Sequence, residues 1–160
     1  MFNFIHLLFV VGTAAFNLLP NYTPPKNLLR IKPCADINPI ILKTTIEVCQ
    51  SLRDTCLIDV QVSELGDTTI CSQAAGHYGT FSPMSKEIRL NEILQYFPNI
   101  SYNVIMHKIL HSLGLDHSKR PGMMSYSVRE DFYGFPIQDH NRLWPSVDDI
   151  QGLLFIKYAY

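Results

Sequence analysis

The chain has 160 residues, a length that suits one domain. A formal net charge of -1 at pH 7 gives no electrostatic case for nucleic acid or for an anionic membrane surface. An apolar content of 47% with 17% charged residues excludes a disordered, highly charged chain.

Phe4 to Val11 is apolar except for His6, and the small residues Gly12, Thr13, Ala14 and Ala15 follow. This layout predicts a secretory signal peptide over 1–15, cleaved after Ala15, although the run has no basic residue before it. The run is too short to cross a bilayer comfortably, so no membrane span is expected. Residues 16–37 contain Pro20, Pro24, Pro25 and Pro33 and read as an irregular segment. Asn21-Tyr22-Thr23 and Asn99-Ile100-Ser101 are sequons, which makes Asn21 and Asn99 candidate glycosylation sites in a secreted chain.

Asn38-Pro39 reads as a helix N-cap followed by proline at the first helical position. Ile41, Thr45, Val48, Cys49 and Leu52 then recur at helical spacing, so a helix is expected from about 39 to 53. Residues 57–63 alternate with period two and predict a strand. His77–Phe81 and Glu87–Asn91 are short strand candidates separated by Ser82-Pro83. A second helix is expected from Ser101, as N-cap, to Leu113, with Gly114 as its left-handed C′ residue. Residues 118–145 read as loop. A last helix begins at Ser146 and buries Ile150, Leu153, Leu154 and Tyr158, with Asp148 and Asp149 complementing its dipole. The element order predicts a single α+β domain over 38–160.

Cys34, Cys49, Cys56 and Cys71 all lie in the first half of the chain. In an oxidising compartment this even number predicts two disulfides, with all three pairings open.

The chemistry concentrates in His107-Lys108-Ile109-Leu110-His111-Ser112-Leu113-Gly114-Leu115-Asp116-His117. His107 and His111 are one helical turn apart, so both imidazoles project from one face. Gly114 lets the chain leave the helix, and Leu115-Asp116 brings His117 back. Three histidines leave one tetrahedral position open, the pattern of a catalytic zinc site. Chance gives this spacing in a chain of this composition with a frequency of roughly 4×10⁻⁴. One zinc ion is therefore the expected cofactor.

This segment resembles the elongated zinc motif of the metzincin peptidases. Leu113-Gly114-Leu115-Asp116-His117-Ser118 is similar to the matrixin branch, the matrix metalloproteinases and their relatives. Met123-Met124-Ser125-Tyr126 resembles the Met-turn, with Met124 as its methionine, and Ser146 to Gly152 resembles the start of the matrixin C-terminal helix. Gly76-His77-Tyr78-Gly79 is similar to the edge strand that holds substrate, and Ile88-Arg89-Leu90-Asn91 to the next strand. The resemblance implies a metzincin-like α+β domain: a twisted, mostly parallel sheet, an active-site helix and a C-terminal helix. It also implies a cleft that takes peptide or protein, with specificity set by the loop from about Val128 to Trp144. The aromatics of that loop, Phe132, Tyr133, Phe135 and Trp144, are expected to pack the domain. Lys32-Pro33-Cys34 faintly resembles the family's inhibitory cysteine segment, but the even cysteine count favours a disulfide for Cys34. His77 lacks partner histidines for the family's structural zinc, and His140 has no motif around it.

The resemblance breaks at Lys108, where active members carry the glutamate that serves as general base. A lysine at neutral pH donates and cannot accept. Its charge about 5 Å from a divalent ion would cost roughly 7 kcal/mol at an effective dielectric of about 20. The expected protein is a secreted, zinc-binding pseudopeptidase that retains a binding cleft. An active metalloendopeptidase, with Lys108 or Tyr126 serving the reaction, is the alternative. A structural or assembly protein reusing the scaffold is the third. No oligomeric state is implied.

Overall fold

In chain order the described elements are β1 (Asn17–Leu18), β2 (Leu29–Pro33), α1 (Pro39–Cys56), β3 (Val60–Val62), β4 (Thr68–Gln73), β5 (Gly79–Ser82), β6 (Glu87–Asn91), α2 (Pro98–Ser112), β7 (Leu115–Asp116) and α3 (Val147–Ala159). Short 3₁₀ turns cover Glu92–Tyr96 and Met123–Ser125. The computed structural model describes residues 16–25 and 28–159. The expected signal peptide, with His6, lies outside them.

The main sheet has the order β3-β2-β4-β6-β5, parallel throughout except for β5, which runs antiparallel to β6 at one edge. β1 and β7 pair separately, antiparallel, with Asn17 opposite Asp116 and Leu18 opposite Leu115. This is the expected α+β architecture, with a mostly parallel sheet, a helix carrying the candidate site and a C-terminal helix.

The irregular reading of 16–37 is corrected, because β2 is an interior strand. Leu29 and Ile31 are fully buried while Arg30 is exposed, a period-two pattern that the surrounding prolines obscure. Pro33 is tolerated because it ends the strand, and the Cys34 N–H donates to the Ile70 carbonyl instead. β4, rich in branched residues, is a further strand between β2 and β6. The strand expected over 57–63 shortens to β3, since Leu57 has φ +55 and caps α1.

α1 starts as expected. The Asn38 side chain accepts from the N–H groups of Ile40 and Ile41, and Pro39 opens the helix. It buries Ile41, Thr45, Val48, Cys49 and Leu52 against the core and runs to Cys56. α2 starts earlier than Ser101. Pro98 takes the first helical position, and Ser101 is buried inside the first turn. Every residue from Ile100 to His107 is buried, so this helix has no solvent face there. In α3 the buried positions are Asp149, Gly152, Leu153 and Ile156, whereas Tyr158 is 72% exposed. The expected stripe is therefore rotated.

Only one disulfide forms among the described residues, Cys34–Cys71, which ties the end of β2 to β4. Cys49 and Cys56 are free thiols. Both lie on α1, and seven residues at about 1.5 Å of rise separate them by about 10 Å, beyond disulfide reach.

Candidate metal centre

α2 sets two imidazoles side by side. The Nδ1 of His107 is 2.7 Å from the Met123 carbonyl oxygen, and the Nδ1 of His111 is 2.7 Å from that of Leu115. A carbonyl only accepts, so each Nδ1 carries the proton and each Nε2 presents a lone pair. Both side chains are buried.

His117 completes the group after a reversal of the chain. Leu113 closes α2, and Gly114 adopts φ +108, a conformation that residues with a Cβ rarely take. A Cβ there would also stand 3.1 Å from Ile156 and 3.2 Å from Pro24. β7 then carries the chain back, and the His117 Nε2 comes within 3.3 Å of the His111 Nε2. Ligand atoms of the three histidines all lie within 4.8 Å of one another. Two nitrogens at about 2.0–2.1 Å from a tetrahedral zinc would be about 3.3–3.4 Å apart, so the His111–His117 spacing already fits. His117 is exposed, which leaves the group open on one side.

Burial also keeps the first two histidines neutral. It lowers the His107 pKa to about 3, with help from His111 and Lys108, and the His111 pKa to about 4. Neutral imidazole is the form that binds a metal.

Lys108 stands between them on α2. Its stem packs beside Gly79 of β5, where an added Cβ would lie 3.3 Å from Lys108 Cγ and 2.6 Å from Val104 Cγ1. Burial lowers its pKa. Among the described residues no carboxylate pairs with its ammonium.

The 3₁₀ turn at Met123–Ser125 supports the site through its backbone. Met123 and Met124 are both buried, the Met124 carbonyl accepts from the Ser118 N–H, and the Met123 N–H donates to Asp149. The Asp149 carboxylate also accepts the Ser146 N–H, while the Ser146 hydroxyl accepts the Asp149 N–H. This reciprocal cap starts α3 where Ser146 was expected to start it.

Tyr126 is otherwise engaged. Its hydroxyl donates to Asp139 at 2.6 Å, and burial with that carboxylate raises its pKa. Asn103 on α2 donates to the same carboxylate, and Arg129 pairs with it at 3.6 Å. Asp139 is thus a junction between α2 and the 126–143 loop that sequence reasoning missed. No periodic pattern marks it. Two of the loop aromatics are not packed as expected, since Phe132 is 97% exposed and Tyr133 80%, whereas the Trp144 ring meets that of buried Tyr102 edge-on at 6.5 Å. The Asp131 carboxylate accepts the N–H groups of Tyr133 and Phe135, which closes the loop on itself and leaves both rings outside the core.

Asn21 is exposed in a turn at φ +57. Asn99 is half-buried and donates its amide to the Asp139 carbonyl, so a glycan there would have to fit beside that bond on the remaining amide hydrogen's side. His77 and His140 are exposed and join no metal-type group among the described residues.

No protein-family model matches the chain. No curated protein matches it either. The likeness lies in solved structures. One structure of myroilysin aligns with TM-score 0.60 at 11% identity, over 88% of this chain and 98% of that one. A crystal structure of myroilysin aligns with TM-score 0.60 at 14% identity, over 99% and 98%. High choriolytic enzyme 1, a hatching enzyme zinc-protease from the medaka Oryzias latipes, aligns with TM-score 0.49 at 12% identity, over 82% and 89%. The chain is thus similar in fold to myroilysin along nearly its whole length, and it carries a three-histidine group on that fold. No helix among the described residues is long and apolar enough to cross a membrane.

Proposed function

We propose that this chain is a secreted, zinc-binding protein of the metalloprotease type, matrixin-like, whose peptidase chemistry is impaired and whose cleft binds peptide or protein. On this reading 1–15 is a signal peptide and 38–160 is the peptidase-like domain, to which β2 adds a strand. His107, His111 and His117 hold one zinc ion, and Met124 is the methionine of the Met-turn. The ion would supply Lewis acidity to an oxygen bound at the open position. The Cys34–Cys71 bridge supports an oxidising compartment.

The observation that carries the reading is Lys108. It lies on the helix turn between the two buried histidines, with its stem against β5. That position calls for a group that takes a proton, and an ammonium has only protons to give. Tyr126 does not rescue the chemistry, since its hydroxyl is engaged by Asp139. β5 supports the binding part. It ends the sheet, so its outer edge can pair with an extended peptide.

Zinc content and peptide-library cleavage, measured on the native chain and on Lys108→Glu, test this. The expected result is about one zinc per chain, no cleavage by the native chain and measurable cleavage by the variant. Native turnover comparable to the variant's and abolished by a chelator would overturn the pseudopeptidase reading. Less than about 0.2 zinc per chain would remove the metal.

A further inference from the structure

The N-terminal segment from Phe16 to Pro24 lies outside the sheet, yet its bonds converge on one place. β1 pairs with β7, so Asn17 and Leu18 stand opposite Asp116 and Leu115. The Leu19 N–H donates to the Gly114 carbonyl at 2.9 Å. The Asn17 side-chain amide donates to the His117 carbonyl at 2.7 Å, and the Tyr22 hydroxyl donates to the Ser112 carbonyl at 2.7 Å. All these bonds end within 112–117, the stretch that leaves α2 and delivers the third histidine.

The segment is anchored at both ends. Phe16 packs on α3, with its ring 5.5 Å from that of Phe155, and Gly152 makes room for it. A Cβ on Gly152 would fall 3.0 Å from Phe16 and 2.6 Å from Leu115. At the other end Pro24 is buried against Gly114. The Tyr22 ring also meets Phe81 of β5 edge-on at 5.7 Å, and the Phe81 ring lies parallel to that of His111 at 6.5 Å.

The stretch needs such support. His107 and His111 are fixed by a buried helix and by carbonyl partners. His117 is exposed. Among the described residues its own backbone N–H bonds only to the adjacent Asp116 carboxylate, and Gly114 upstream turns the chain at φ +108. We infer that residues Asn17 to Tyr22 form a strap that positions His117, so that Asn17 and Tyr22 set the affinity of the three-histidine group for zinc without touching the ion. The inference rests on the zinc-binding reading above.

Competitive zinc titration against a chromophoric chelator, at fixed pH, separates the two. The native chain tests the reading, and its failure to bind zinc would end both claims. Given native binding, Asn17→Ala and Tyr22→Phe are each expected to raise the zinc Kd about 3–10-fold, below the roughly 10–100-fold seen for direct partners of ligand side chains. Asn17→Gln, which keeps an amide donor, should recover part of the loss. Asn38→Ala removes a helix cap remote from the site and controls for general instability. It should lower the melting temperature and leave the zinc Kd unchanged. Unchanged zinc Kd in Asn17→Ala and Tyr22→Phe, or an equal rise in Asn38→Ala, would overturn the strap.

Discussion

Asp149 accepts the backbone N–H of Met123 at 3.1 Å, and the Met123 carbonyl faces the Nδ1 of His107. The first turn of α3 therefore reaches the first histidine through a single residue. Asp149 is 2% exposed and also accepts the Ser146 N–H. Asp149→Ala would leave two donors without their partner. It should destabilise the fold by about 2–4 kcal/mol and weaken zinc binding. Urea unfolding with and without zinc checks both. A stable variant with native zinc affinity would refute the link.

The metal-free protein should lose stability in mild acid. The folded pKa values of His107 and His111 are about 3 and about 4, against an unfolded value near 6.5. Between those limits the unfolded chain binds more protons than the folded one. Stability is thus full above about 6.5 and falls as pH drops through the window toward 4 and then 3. Urea midpoints in chelator from pH 7 to 4.5 should decline steadily. A flat profile would show that these imidazoles are not held neutral.

Thiol labelling should find two reactive groups rather than none. Cys56 is partly exposed and should react in the folded protein, while the buried Cys49, whose pKa burial raises to about 12, should react only after unfolding. Cys34 and Cys71 should need a reductant. Their bridge closes a loop with a sequence separation of 37, so replacing both should cost about 4 kcal/mol or less. Mass spectrometry of alkylated protein decides the pairing.

Asn103 should matter to stability although it is not among the candidate metal ligands. It is fully buried, its amide donates to the Asp139 carboxylate and the Asn141 carbonyl, and its side-chain oxygen accepts the Leu143 N–H at 2.7 Å. Asn103→Ala should destabilise by about 2–4 kcal/mol and increase hydrogen exchange across 139–143. By contrast Phe132→Ser, at a fully solvated tip, should stay within about 0.5 kcal/mol of native stability. A large loss in Phe132→Ser would mean that the tip packs after all.

The sequence disclosed what depends on short-range spacing. His107, His111, Gly114 and His117 fall within one turn and one reversal, so periodicity and the glycine suffice to group them. Asn38-Pro39 and Ser146 announced their helices for the same local reason. β2 was hidden because Pro33, a strand-ending residue, was read with the neighbouring prolines as a breaker. Ser101 looked like a cap, but Pro98 fits the first helical position better and pushes the serine inside. Asp149 was legible as part of the start of α3, but its bond to Met123, 26 residues away, was not, and neither were the bonds of Asp139 to Tyr126, Asn103 and Asn99, 13, 36 and 40 residues away, since only the folded chain brings these groups together.

Asn17 and Asp116 are neighbours in space and 99 positions apart in the chain, as the register of β1 on β7 requires. During synthesis β1 is made first among these elements and its partner β7 follows only after five strands and two helices. Pairings of such long separation carry the largest loop-closure entropy and form late. On the strap reading, α2 alone brings His107 and His111 together, whereas the third histidine comes into register only once β1 has paired with β7. Two-ligand capture of a metal by an incomplete chain would be weak and reversible, so the order of assembly itself defers firm metal binding to the finished domain.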